Sequence, residues 1–169
     1  KTRAHDGVIK PVVPVKYAEI RDRYTDALLS FGDFDVEFRV FDNAVAYRFV
    51  THIADSVDVM AEDFRVALPE ATIAHLQQPG GWKSAQEEPY THKPLAQWEE
   101  ADRMSLTPAL FELPGGEWML VSESNLRDYA GMYLKGNGSG FSSVFPRMPL
   151  KFGDDGDRSV TIDQEAPYL

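Results

Sequence analysis

The chain has 169 residues, 43% of them hydrophobic and 12% aromatic, which is the length of one domain with enough apolar material for a packed core, and this excludes intrinsic disorder. It is shorter than the ~200 residues that a complete (β/α)8 barrel needs. Seventeen Lys and Arg against 27 Asp and Glu leave a net charge of −10; with no polybasic run and no apolar stretch of about 18 residues, neither a nucleic-acid partner nor membrane insertion is expected.

Cysteine is absent, so there is no disulfide framework, thiolate metal site or cysteine nucleophile. The chain opens on Lys1 with no charged and then apolar leader, and it reads as a processed or excised segment of something longer.

In chain order, residues 8–15 contain Pro11 and Pro14, which cannot donate to a ladder and predict an extended or edge segment. Residues 19–31 fit a helical stripe through Ile20, Tyr24, Ala27, Leu28 and Phe31, and also a buried strand through Ala27, Leu28 and Leu29. The neighbouring hairpin favours the strand. In residues 35–50, Val36, Phe38 and Val40 alternate with Glu37, Arg39 and Phe41, and Val45, Tyr47 and Phe49 resume the pattern after Asp42-Asn43. That is a β-hairpin, with a turn pair that tolerates positive φ.

Short apolar runs follow at residues 57–60, 64–68, 106–113 and 118–122, separated by Pro69, Pro79-Gly80-Gly81 and Pro114-Gly115-Gly116. Residues 113–121 predict a second hairpin around the Pro-Gly-Gly turn. Residues 122–134 have helix-friendly letters that Gly131 and the Tyr-rich end weaken, and the acidic tail holds a last strand at 159–162. Many short strands punctuated by Gly and Pro predict an all-β sandwich.

Few constellations suit chemistry. Gly136, Gly138 and Gly140 form G-N-G-S-G, which misses the dinucleotide fingerprint and predicts a flexible surface loop. The tail residues Asp155, Asp157 and Ser159 imitate the start of a calcium loop but put Val160 where its turn glycine belongs. His5, His52, His75 and His92 are too far apart for helical i,i+4 zinc pairing, though two of them could still meet in space. Glu87-Glu88 and Glu99-Glu100 are adjacent carboxylates that would point to opposite faces of a strand. Residues 79–98 form a long stretch with two Trp, a Tyr and two carboxylates. It reads either as a ligand-binding loop or as an ordinary surface loop covering a sheet edge.

The hairpin from Phe38 to Phe49 resembles one in the amino-terminal domain of glycoside hydrolase family 97, the family of bacterial α-glucosidases and α-galactosidases. The likeness extends, in order, over Ile20-Arg21-Asp22, Glu87-Glu88-Pro89-Tyr90, Glu123-Ser124-Asn125-Leu126-Arg127-Asp128-Tyr129-Ala130-Gly131-Met132-Tyr133-Leu134 and Phe145-Pro146-Arg147-Met148-Pro149-Leu150. Ala44 stands where the family usually has glycine, and Gln86 where it usually has tyrosine.

The resemblance implies an all-β, galactose-mutarotase-like β-super-sandwich over residues 1–169, truncated, and in the family packed on a carboxyl-terminal (β/α)8 catalytic barrel that is absent here. It implies a non-catalytic domain of an exo-acting α-glycosidase that shapes the active-site entrance for α-linked oligosaccharides, contains no catalytic residue and is inactive alone. It further implies calcium between the domains with Glu87 as one ligand, or Glu88 if the alignment slips by one, and export to the bacterial periplasm. The alternative is a free-standing carbohydrate-binding module that stacks sugars on Trp82, Tyr90 and Trp98.

Overall fold

The computed structural model describes residues 1–54, 62–82, 84–126 and 129–146, and two further strands at 149–152 and 160–162. The predicted apolar run at 57–60 and the calcium-loop imitation at 155–159 lie outside the described residues. The chain divides into two compact units, Lys1–Val57 and Asp58–Leu169. All described regular structure is antiparallel β apart from one short 3-10 turn.

The first unit is a meander of β1 (Thr2–Ile9), β2 (Ile20–Ser30), β3 (Phe34–Val40) and β4 (Val45–Thr51), paired in that order. The segment with Pro11 and Pro14 lies in the connection after β1, where their missing N–H groups cost no ladder bond. The ambiguous segment at 19–31 is strand, because its neighbours on both sides supply ladder partners along most of its length. Gly32, at φ +89°, turns β2 into β3, and the Phe31 N–H donates to the Phe34 carbonyl at 2.9 Å.

The predicted hairpin at 35–50 forms, but its turn differs from expectation. Among the described residues Asn125 is the only non-glycine with positive φ, so Asp42 and Asn43 keep ordinary backbone. A four-residue connection, with the Phe41 N–H donating to the Ala44 carbonyl at 2.8 Å, removes the need for the left-handed region that a two-residue turn demands. Alternation then sorts the faces. Arg39 pairs with Asp26 at 3.1 Å and Arg48 with Glu37 at 2.6 Å across the strands, while Phe38 and Tyr47, opposite each other in register, put their rings 6.1 Å apart on the other face.

The second unit is a sandwich of two four-stranded sheets. One has the order β10 (Trp118–Val121), β9 (Ala109–Glu112), β6 (Ile73–Gln77), β7 (Tyr90–Pro94); the other has β5 (Arg65–Ala67), β12 (Gly140–Val144), β11 (Tyr133–Gly136), β8 (Ser105–Leu106). A two-stranded ribbon of β13 (Pro149–Phe152) and β14 (Val160–Ile162) completes the described strands. The core takes Ala74, Leu76 and Phe111 from the first sheet and Leu134 and Phe141 from the second, all fully buried. Phe111 and Phe141 face each other at 5.4 Å between ring centres.

The hairpin predicted at 113–121 is β9–β10, closed by the Leu113 N–H on the Glu117 carbonyl at 2.9 Å, with Gly116 at φ +91°. The helix-friendly stretch at 122–134 forms no helix among its described residues and runs into β11.

Two expectations are overturned. Residues 79–98 are not one irregular stretch: β7 and a 3-10 turn at Leu95–Gln97 occupy the second half. The G-N-G-S-G segment is not a flexible surface loop but the tight β11–β12 hairpin, with Gly136 and Gly140 buried and Gly138 at φ +84°. A Cβ on Gly140 would lie 1.9 Å from the Val66 carbonyl oxygen, so glycine is there to let two backbones meet.

Candidate functional site

The segment carrying Glu87 connects β6 to β7, and hydrogen bonds hold it from both ends. At its start, Gln78 Nε2 donates to the Arg103 carbonyl at 3.1 Å, and the Ser84 hydroxyl both donates to the Gly81 carbonyl at 2.8 Å and accepts from the Gly81 N–H at 3.1 Å. Gln86 donates to the Ser84 carbonyl and accepts from the Tyr133 hydroxyl at 3.5 Å. The Tyr133 ring supports the edge of Trp82 at 4.8 Å. Burial, and then the Glu123 carboxylate, push the Tyr133 phenol up from its ordinary value, which keeps it a donor. At the far end Gln77 Nε2 donates to the Glu88 carbonyl at 2.6 Å.

Glu87 stands exposed between these two anchors and makes no hydrogen bond or ion pair among the described residues. Glu88 is half-buried. No three His, Asp or Glu gather as a metal-binding group among the described residues. The donor set therefore fits calcium only as one carboxylate toward a site completed elsewhere, since such an ion takes about 6–8 oxygens.

The aromatic residues of this region part company. Trp82 and Tyr90 are 40% and 50% exposed, but Trp98 is 1% exposed and cannot stack on a sugar. The 3-10 turn folds Trp98 back against Phe141, 5.6 Å between rings, and its Nε1–H donates to the Lys93 carbonyl at 3.2 Å. The Lys93 ammonium lies 4.3 Å over the indole and 2.8 Å from Asp102.

Two histidines that sequence spacing left apart meet here. Register pairs His75 of β6 with His92 of β7, and their Nδ1 atoms are 2.5 Å apart, within hydrogen-bonding distance of each other. His75 Nε2 is 3.6 Å from Glu112 on β9 and has no hydrogen-bond partner among the described residues. Trp118 of β10 lies 5.2 Å from the His75 ring, and Tyr90 stacks 6.3 Å from His92. The signal that could have found this group is the alternation Ile73-Ala74-His75-Leu76-Gln77, which marks His75 as outward once Ala74 and Leu76 are inward. His5 and His52 belong to the first unit, where they pair with Asp22 at 3.1 Å and Asp35 at 3.0 Å.

Comparison with known proteins agrees with this architecture. A family model described as Glycosyl-hydrolase 97 N-terminal matches residues 1–166. A retaining alpha-galactosidase of Bacteroides thetaiotaomicron is 27% identical over 167 residues, covering 90% of this chain and 25% of that protein. A solved Glycoside Hydrolase Family 97 enzyme from Pseudoalteromonas sp. strain K8, in complex with acarbose, superposes with TM-score 0.69 at 19% identity, over 86% of this chain and 23% of that one. A beta-arabinopyranosidase structure superposes with TM-score 0.65 at 23% identity, over 95% of this chain and 28% of that one. The chain thus spans about a quarter of the length of these relatives, and it belongs to the glycosyl-hydrolase 97 N-terminal family.

Proposed function

We infer that this chain is the non-catalytic amino-terminal domain of an exo-acting α-glycosidase, of α-glucosidase or α-galactosidase type. It packs on a carboxyl-terminal (β/α)8 barrel, walls the active-site entrance for α-linked oligosaccharides and contributes Glu87 as one calcium ligand, in a protein exported to the bacterial periplasm. The observation that carries the reading is the family match over residues 1–166, in a chain that spans only 25% of a galactosidase relative. The free carboxylate of Glu87, held between the Gln86 and Glu88 anchors, supports the ligand role. Glycoside hydrolysis needs two placed carboxylates, and this reading assigns both to the barrel.

Calcium, when bound, supplies positive charge at the active site. Glu87 would supply carboxylate oxygen to that ion and so would tie this domain to its partner.

The test is hydrolysis of p-nitrophenyl α-glucoside and α-galactoside by the full-length protein and by the 169-residue chain. Turnover by the first and none by the second is expected. Turnover by the chain alone, abolished by a carboxylate substitution within it, would overturn the reading. In the full-length protein, Glu87→Gln should lower calcium affinity and kcat together, because the amide keeps an oxygen and loses the charge. Equal calcium affinity with intact activity would remove Glu87 from the ligand set.

A further inference from the structure

The row of rings on the outer face of the β10-β9-β6-β7 sheet has no role in the reading above. Trp118 of β10, His75 of β6, and His92 and Tyr90 of β7 follow one another at centre-to-centre steps of 5.2, 4.8 and 6.3 Å, the first reaching across β9 and the last running along β7. The two outer members are 55% and 50% exposed. Beneath the row, Leu76 and Phe111 fill the core, so the sheet that carries the rings is backed by packed side chains.

The chemistry of this face narrows its occupant. Strand alternation turns Lys93 inward, toward Trp98, and leaves no Lys or Arg on the described outer positions of these strands, which excludes an anion. The carboxylate there is Glu112; both Nδ1 atoms of the histidine pair face each other and His75 Nε2 is buried, so exposed His92 is the histidine that offers a ring nitrogen to a ligand. The pair does not hold a transition metal: two nitrogens 2.5 Å apart are closer than two ligands of one tetrahedral zinc at ~2.0–2.1 Å Zn–N can be. Exposed ring faces with hydrogen-bonding groups between them and no cationic Lys or Arg suit a ligand with both C–H faces and hydroxyls. The face is also continuous with the loop of Glu87: Tyr90 opens the strand that this loop enters, and Gln77 on the same face bonds Glu88.

We propose that the Trp118–His75–His92–Tyr90 face binds a neutral saccharide, with Trp118 and Tyr90 stacking on pyranose rings and His92 and Glu112 bonding their hydroxyls. The substrate class rests on the glycosidase reading; the site itself rests on the ring row.

The experiment is calorimetric titration of the full-length protein, wild type, Trp118→Ala and Tyr90→Ala, with maltotriose and with raffinose. At least one sugar should bind, and each substitution should weaken it by about threefold to tenfold, the worth of one ring contact. Both side chains are at least half exposed, so unchanged melting temperatures are expected and keep the comparison valid. His92→Gln, which retains a hydrogen-bonding group, should lose less than His92→Ala. Unchanged affinities in both ring variants would overturn the proposal. So would a dimer that Trp118→Ala dissociates without touching sugar affinity, since the face then meets a second copy. Hydrolysis of the aryl glycosides by wild type separates the two ideas. Hydrolysis with no ring effect ends the saccharide face alone, whereas a ring-dependent affinity with no hydrolysis ends the glycosidase reading alone.

Discussion

Gly140 sits where a side chain cannot, with the Val66 carbonyl oxygen 1.9 Å from the place of its missing Cβ. Gly138 sits in open space at φ +84°, so a side chain there meets no neighbour but strains the backbone. The two substitutions should therefore differ in kind. Gly138→Ala should cost about 1–2 kcal/mol through the left-handed backbone, whereas Gly140→Ala should cost more, because β5 must move off β12 and the Val66–Phe141 pairing goes with it. Denaturant unfolding of both variants measures this; a Gly140→Ala protein as stable as wild type would mean that these backbones are not in contact. Glu87 is the opposite case. It is exposed and unbonded among the described residues, so Glu87→Gln should change folding stability by less than about 0.5 kcal/mol, whatever it does to calcium.

At the scale of elements, β6 decides the second unit. It lies between β9 and β7 and alternates strictly, with Ala74 and Leu76 at 0% exposure and Ile73 at 36%. Leu76→Ala should cost about 2–5 kcal/mol by leaving a cavity beneath two sheets, and Ile73→Ala distinctly less, since a third of Ile73 already meets water. Equal losses in thermal unfolding would contradict the inward assignment of Leu76. Five residues of moderate hydrophobicity did not stand out as a strand beside the richer run at 106–113. The strand forms because neighbours on both sides satisfy its backbone groups, a property of the sheet rather than of the segment. Trp98 shows the same limit. In sequence it looks like Trp82, and only the 3-10 turn after β7 sends it into the core.

For the whole molecule, the net charge of −10 makes the carboxylates that have partners important for acid stability. Burial works against the charge of Asp102, but the Lys93 ammonium and the Glu99 backbone N–H outweigh it and hold the carboxyl below its ordinary value. A depressed folded-state pKa means that this stabilisation is complete above the ordinary value, about pH 4, and is lost as pH falls through the lower folded value. Melting temperatures of wild type should therefore drop more steeply below about pH 4 than those of Asp102→Asn, which has no such proton to take up. Parallel pH profiles would mean that the Lys93–Asp102 pair contributes nothing to acid sensitivity.

The sequence by itself determined the all-β class, the hairpins at 35–50 and 113–121, and the ordered blocks that resemble the family. Each of these rests on local information: alternation, a turn residue, or a run of letters. Tertiary structure alone decided that His75 and His92, seventeen residues apart, meet within hydrogen-bonding distance, that Gly136 and Gly140 are buried, and that the outward rings form one row. A period of two says which residues share a face, but it says neither which face is core nor which strand lies alongside. That choice is made by long-range pairing and burial.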